Sequence, residues 1–196
     1  MSTEPPWPDH VRRVWAGCEA CRGARGRRPH GRSTVSTDGL THVSESGEAR
    51  MVDVSAKAVT VRTATASGFV RTTPRVIALL RGEGVPKGDA LAVARIAGIQ
   101  AAKRTPDLVP LCHPVAIHGV TVDLTVVDDG VLVRATVRTA DRTGVEMEAL
   151  TCVCVAGLTL IDMVKAVDRE ACIEQVRVEE KSGGRSGTWR RGEVPA

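Results

Sequence analysis

Three groups of residues in this chain have types and spacings that suit chemistry. Asp162 and Lys165 are three apart, so on a helix they share one face. On spacing alone that is a plain surface ion pair, worth little energetically. The uncharged run Ala149–Ile161 just before them suggests a buried helix, and at its end the pair would be partly desolvated and tuned for proton transfer. Glu146 and Glu148 begin the same helix. There they either complement the positive end of the helix dipole or accept paired N–H donors from a guanine-like ring edge. His113 lies in the segment Val109–Pro114 (VPLCHP), where two prolines bracket four residues and fix an irregular loop. An imidazole held there can donate to phosphate or move a proton near neutral pH.

Cations complete the set. Lys87-Gly88-Asp89 opens a helix, where free backbone N–H groups favour anions. Lys103-Arg104 follows that helix. KSGGRSG at Lys181–Gly187 has the flexibility of a phosphate-wrapping loop but lacks the GxxxxGK[ST] pattern. Of 27 basic residues only five are lysine, namely Lys57, Lys87, Lys103, Lys165 and Lys181. In so arginine-rich a chain a retained lysine marks a place where a transferable proton is useful, because arginine stays charged. Together with His113 these cations are enough for a triphosphate. Spacing does not say whether they meet.

The elements that must position them read as follows. Thr60–Thr72 alternates as a strand. Thr73-Pro74 starts a short helix, and Asp89 is the N-cap of a second, Ala90–Lys103, whose irregular apolar stripe suggests burial on more than one side. Val115–Val127 and Val131–Thr139 form a hairpin around Asp128-Asp129-Gly130. Val145–Val167 is a long helix and Cys172–Glu180 a last strand. The order βαββαβ predicts an α+β, ferredoxin-like sandwich, an antiparallel sheet with helices on one face.

Composition narrows the function classes. With 196 residues, 42% hydrophobic and 26% charged, the chain suits one domain. Residues 1–39 are a Pro, Gly and Arg-rich leader expected to be disordered, 40–190 the folded domain and 191–196 a flexible tail. Most of the net charge of +4 belongs to the leader, so the folded part is nearly neutral. With Phe69 its one aromatic before the C-terminal stretch, it does not suit nucleic-acid binding. The longest stretch without Asp, Glu, Lys or Arg, Leu108–Val122, is too short for a membrane span. Six scattered cysteines form no disulfide framework and point to a reducing cytosol. Cys18 and Cys21 form a CxxC without a second pair at zinc-finger spacing, an incidental feature of the leader. A Val, Leu, Ile and Ala core with so few aromatics also favours burial in an oligomer. A non-catalytic small-molecule sensor is the alternative class.

Taken together, LTHVSESGEARMVDVSAKAVTVRTA, KGDALAVARIAGIQAAKRTPDLVPLCHP, TGVEMEAL, IDMVKAVD and KSGGRSG resemble the cyclic pyranopterin monophosphate synthase family of molybdenum cofactor biosynthesis. The likeness covers about residues 40–188; residues 1–39 have no counterpart. The resemblance implies a ferredoxin-like subunit in a homohexamer, a trimer of dimers, with active sites between subunits. It implies (8S)-3′,8-cyclo-7,8-dihydroguanosine 5′-triphosphate as substrate, and cyclic pyranopterin monophosphate and diphosphate as products. The family's designated catalytic Asp matches Asp162, and its two essential lysines match Lys87 and Lys165. Its substrate-contact stretches match Leu111, Cys112, His113, Met147 and Glu148, and other pocket residues match Arg62, Lys103, Arg104, Glu146 and Lys181. No protein-held metal or cofactor is implied, although Mg2+ can accompany the triphosphate. On this reading Lys87 and Lys165 form the acid–base pair, with Asp162 orienting Lys165. His113, Lys103, Arg104 and Lys181 hold the phosphates, and Glu148 with Glu146 grips the base edge.

Overall fold

The computed structural model describes residues 48–83 and 89–192. The leader with Cys18 and Cys21, the segment holding Lys87, and residues 193–196 lie outside the described residues. All described residues fall within the unit Thr41–Ala196.

Alternation sets the sheet. In β1 (Thr60–Arg71) Ala64, Ala66 and Val70 are buried, and the polar Thr and Ser positions between them turn to the other face. β1 pairs antiparallel with β3 (Gly130–Asp141) on one side and with β4 (Cys172–Ser182) on the other. β2 (Ile117–Val126) lies outside β3, and β5 (Trp189–Arg190) outside β4, giving the order β2-β3-β1-β4-β5. The four longer strands thus have the order and directions expected of the ferredoxin-like fold. β5 adds an edge that the sequence reading lacked, because two residues carry no period.

The β2–β3 hairpin closes where expected, with the Val127 N–H donating to the Gly130 carbonyl at 2.9 Å. A Cβ at Gly130 would lie 2.3 Å from the Val70 carbonyl oxygen, so only glycine fits there. The β1–β4 ladder slips twice, at Thr65/Ala66 and Ser67/Phe69. Gln175, at φ 53, absorbs the second slip, and Glu179 lies unpaired at the first.

The helices cover one face. α1 (Pro74–Ala78) runs into a π-helical turn, Leu79–Glu83. α2 (Ala90–Ala102) is capped as expected, with the Ala92 N–H donating to Asp89 Oδ1 at 2.9 Å. α2 is not buried on several sides. Its buried stripe is Ala90, Ala94, Gly98, Ala101 and Ala102, while Val93 and Ile96 face outward. The stripe looks irregular in sequence because its members are small, and they are small because the long helix Glu146–Val164 crosses closely. A Cβ on Gly98 would meet the Cys152 carbonyl oxygen at 3.0 Å. A one-turn helix, α3 (Thr105–Leu108), precedes the proline-bracketed loop. α4 (Glu146–Val164) packs on the sheet through Val153, beside Gly68, and Gly157, beside Val70 and Ile173, with Ala149, Ala156 and Leu160 also buried. Its uncharged run is not wholly buried, since Cys154 and Leu158 point away from the sheet. α4 has the length and mean hydropathy, 1.8, of a membrane span, but half of that window is packed inside the protein. The cysteines Cys112, Cys152, Cys154 and Cys172 are all free thiols.

Candidate active site

A cleft of about 450 Å³ opens at the N-terminal end of α4. The loop before β2 supplies Leu111, Cys112 and His113; the first turn of α4 supplies Glu146, Met147 and Glu148; β4 supplies Lys181. These seven positions were expected from the sequence, and the fold draws them together from three segments. A smaller, polar notch adjoins it, sharing Thr143, Gly144, Glu146 and Lys181 and adding Arg62 with Lys57, Arg142 and Ser186.

Each side chain is held by something specific. His113 Nε2 lies 2.7 Å from the Val52 carbonyl oxygen. A carbonyl only accepts, so Nε2 carries the hydrogen and Nδ1 is left for a second partner. Glu146 Oε1 lies 3.4 Å from Lys181 Nζ, and Lys181 Nζ also donates to the Ser186 hydroxyl at 3.1 Å. Glu146 reaches this position because residue 144 is glycine; a Cβ there would sit 1.9 Å from Glu146 Oε2. Arg62 Nε donates to the Asp141 carbonyl at 2.9 Å, which points the guanidinium at the Gly183-Gly184 turn. Both glycines have left-handed φ, 94° and 69°, and a Cβ on Gly184 would meet Arg62 Nη1 at 2.3 Å. The glycine pair therefore serves close approach to an arginine as well as flexibility.

Glu148 is the electrostatic exception. It is 3% exposed. Burial pushes its carboxyl up to about 7; its own backbone N–H opposes the shift and the neighbouring Glu146 charge adds to it. Burial, then the Glu148 charge, raises the Cys112 thiol as well. A carboxyl that changes charge near neutrality inside a cleft marks a functional site more often than a structural one.

Other expected residues lie elsewhere in the chain. Asp162 and Lys165 pair at 2.6 Å at the C-terminal end of α4, with side chains 56% and 59% exposed. Within one chain the expected desolvation is therefore not there. From Glu148 to Asp162 the helix rises about 21 Å. Asp168, which accepts from the Thr72 hydroxyl at 2.8 Å and the Thr73 N–H at 3.0 Å, ties the chain beyond α4 to the end of β1. Lys103 and Arg104 are exposed at the α2–α3 junction, where Arg104 Nε pairs with Asp107 at 3.3 Å. Lys87 lies outside the described residues. No group of three or more His, Cys, Asp or Glu that could hold a metal occurs among the described residues.

Sequence reasoning overlooked Thr143, Arg142, Val178 and Trp189. Lys57, one of the five lysines, takes its place in the notch. Thr143 opens TGVEMEAL and Arg142 immediately precedes it, so the motif and its N-terminal flank already held both. Trp189 becomes visible only through the β4–β5 pairing.

The profile of the MoaC family matches residues 51–184. The chain belongs to the MoaC family. It is 67% identical to a cyclic pyranopterin monophosphate synthase of Streptomyces coelicolor over 164 residues, which cover 84% of this chain and 96% of that protein. The protein of the same name from Streptomyces griseus is 70% identical over 161 residues, covering 82% and 91%. Cyclic pyranopterin monophosphate synthase 2 of Mycobacterium bovis is 57% identical over 164 residues, covering 84% and 98%. The matched segment runs from Met51, ahead of β1, through the Gly183-Gly184 turn, and so includes both ends of α4.

Proposed function

We propose that this MoaC-family chain is a cyclic pyranopterin monophosphate synthase, a phosphorus–oxygen lyase of molybdenum cofactor biosynthesis. It converts (8S)-3′,8-cyclo-7,8-dihydroguanosine 5′-triphosphate to cyclic pyranopterin monophosphate and diphosphate. The observation that carries this reading is the cleft that gathers Leu111, Cys112, His113, Glu146, Met147, Glu148 and Lys181. A carboxylate wall suits the N–H-rich edge of a guanine-like ring, and the cationic notch beside it suits phosphates.

The reaction makes two demands. The ring and sugar must rearrange into a pyranopterin through proton transfers. A sugar hydroxyl then attacks the α-phosphorus; one P–O bond forms, the bond to diphosphate breaks, and the hydroxyl proton passes to a base. Lys165 and Lys87 handle protons, with Asp162 holding Lys165 in place. Lys181 and Arg62, with His113, Lys103 and Arg104, bind the phosphates and stabilise charge developing on the leaving group. Any magnesium rides on the triphosphate, because the charged side chains around the notch, Lys57, Arg62, Arg142 and Lys181 against Glu146, are mainly cationic and repel a protein-held divalent ion.

The enzyme is a cytoplasmic homohexamer, a trimer of dimers, on this proposal. Two features support assembly. One protomer leaves the Asp162–Lys165 pair about 21 Å of helix away from Glu148. It also leaves Val93, Ile96 and Leu158 exposed. A neighbouring subunit that covers them can bring its own lysine and aspartate to the cleft. The direct test is anaerobic turnover of the cyclic triphosphate, with one diphosphate expected per pyranopterin. Absence of diphosphate overturns the reading and favours a sensor.

A further inference from the structure

Trp189 stands in the cleft wall without a part in the chemistry above. It begins β5, and the ladder sets it directly opposite Lys181. Paired residues in antiparallel strands project to one face with Cβ atoms about 5 Å apart, so the indole and the ammonium are neighbours on the same wall. The indole stays 38% exposed, although tryptophan gains much from burial. It is nonetheless held. The Arg191 N–H donates to the Glu179 carbonyl at 2.8 Å, and Arg191 Nε to the Val178 carbonyl at 2.8 Å. The Arg191 guanidinium lies over the indole, 5.5 Å from the ring centroid. A flat ring with a cation stacked on it, fixed by a short strand and open to a cleft, is a stacking platform.

Among the other described residues of the cleft only His113 carries a ring, and its Nε2 is tied to the Val52 carbonyl at 2.7 Å. Glu146 and Glu148 can take the edge of a ring, Lys181 can take phosphate, and Leu111 and Met147 offer narrow apolar contact. We propose that Trp189 is a substrate-positioning residue whose indole stacks on the planar pyrimidinone part of the purine-derived triphosphate. The ring is thereby held with its edge toward Glu148 and its phosphates toward Lys181. This inference rests on the function proposed above.

Diphosphate release measured for the full chain and for Trp189→Phe, Trp189→Leu and Trp189→Ala tests it. Stacking predicts that the Leu and Ala variants raise KM about tenfold with kcat within about twofold, and that Phe stays within about threefold of the parent KM. A purely structural role for the bulk of the indole would be met by leucine, so a Leu variant with the parent KM overturns the inference. So does an Ala variant with unchanged KM. Should the Ala variant fail to fold, the Phe–Leu contrast decides. A parent chain that releases no diphosphate overturns the reaction, and this inference with it; a normal parent beside a normal Leu variant overturns stacking alone.

Discussion

The two ends of α4 carry the same kinds of groups in opposite circumstances. At the N-terminal end Glu148 is sealed, Glu146 is paired with Lys181, and the loop with Cys112 and His113 closes over them. At the C-terminal end Asp162 and Lys165 pair in open solvent. The first end is a binding half-site built by one chain. The second is reactive in type but stands open among the described residues of a single chain. A helix whose buried middle fixes both ends rigidly can serve two different sites, one with each end.

Changes at the exposed end should be large in rate and small in stability. Lys165→Arg keeps the charge and loses the transferable proton, and Asp162→Asn loses the orienting carboxylate. Each is expected to lower kcat by about 10³ while shifting stability by less than about 0.5 kcal/mol. Turnover and thermal melts on the same preparations check both. A Lys165→Arg enzyme with near-normal kcat removes the proton-transfer role.

At the sealed end a glycine should matter more for stability. A Cβ at Gly183 would stand 2.1 Å from the Val61 carbonyl oxygen, at a φ of 94°. Gly183→Ala is expected to cost about 2–4 kcal/mol and to raise KM by displacing the turn that packs on Arg62. Calorimetry beside KM measurement would show it.

Glu148 gives the sealed end a pH signature. Its proton is held more tightly in the folded chain, about 7, than the ordinary 4.5 of the unfolded chain. The native state thus binds the extra proton between these values, and stability falls as pH rises through them. Glu148→Gln removes that loss. It should stabilise the protein by up to about 3 kcal/mol at pH 8 and scarcely at pH 4.5. In the parent enzyme KM should rise below pH 7, where Glu148 gains its proton and ceases to be a double acceptor; the Gln variant should lose that dependence.

How much of this the sequence carried differs along the chain. The helix and strand order was legible because β1, β3 and α4 keep their periods over many residues. The hairpin turn and the Asp89 cap were legible because each closes within three residues, the turn through the Val127 N–H on the Gly130 carbonyl and the cap through Asp89 on the Ala92 N–H. α2 misled because its buried face is alanine and glycine, which a hydrophobic stripe does not reveal. In the site, Glu148 was legible by type, but its shifted carboxyl depends on burial that spacing does not encode. Trp189 was not legible, since its place comes from the β4–β5 pairing. The Asp162–Lys165 pair was legible as a pair, and its expected desolvation requires a surface that the described residues of one chain do not supply.

Mixing two inactive subunits tests that last point. Glu148→Ala damages the sealed end and Asp162→Asn the exposed end. If each site takes one end from each of two subunits, a 1:1 co-expressed assembly holds some sites with neither change. It should then recover about a quarter of parent activity, although either variant alone shows almost none. If both ends serve one site within a single chain, every site in the mixture carries a lesion, and activity no higher than that of the separate variants would contradict the account.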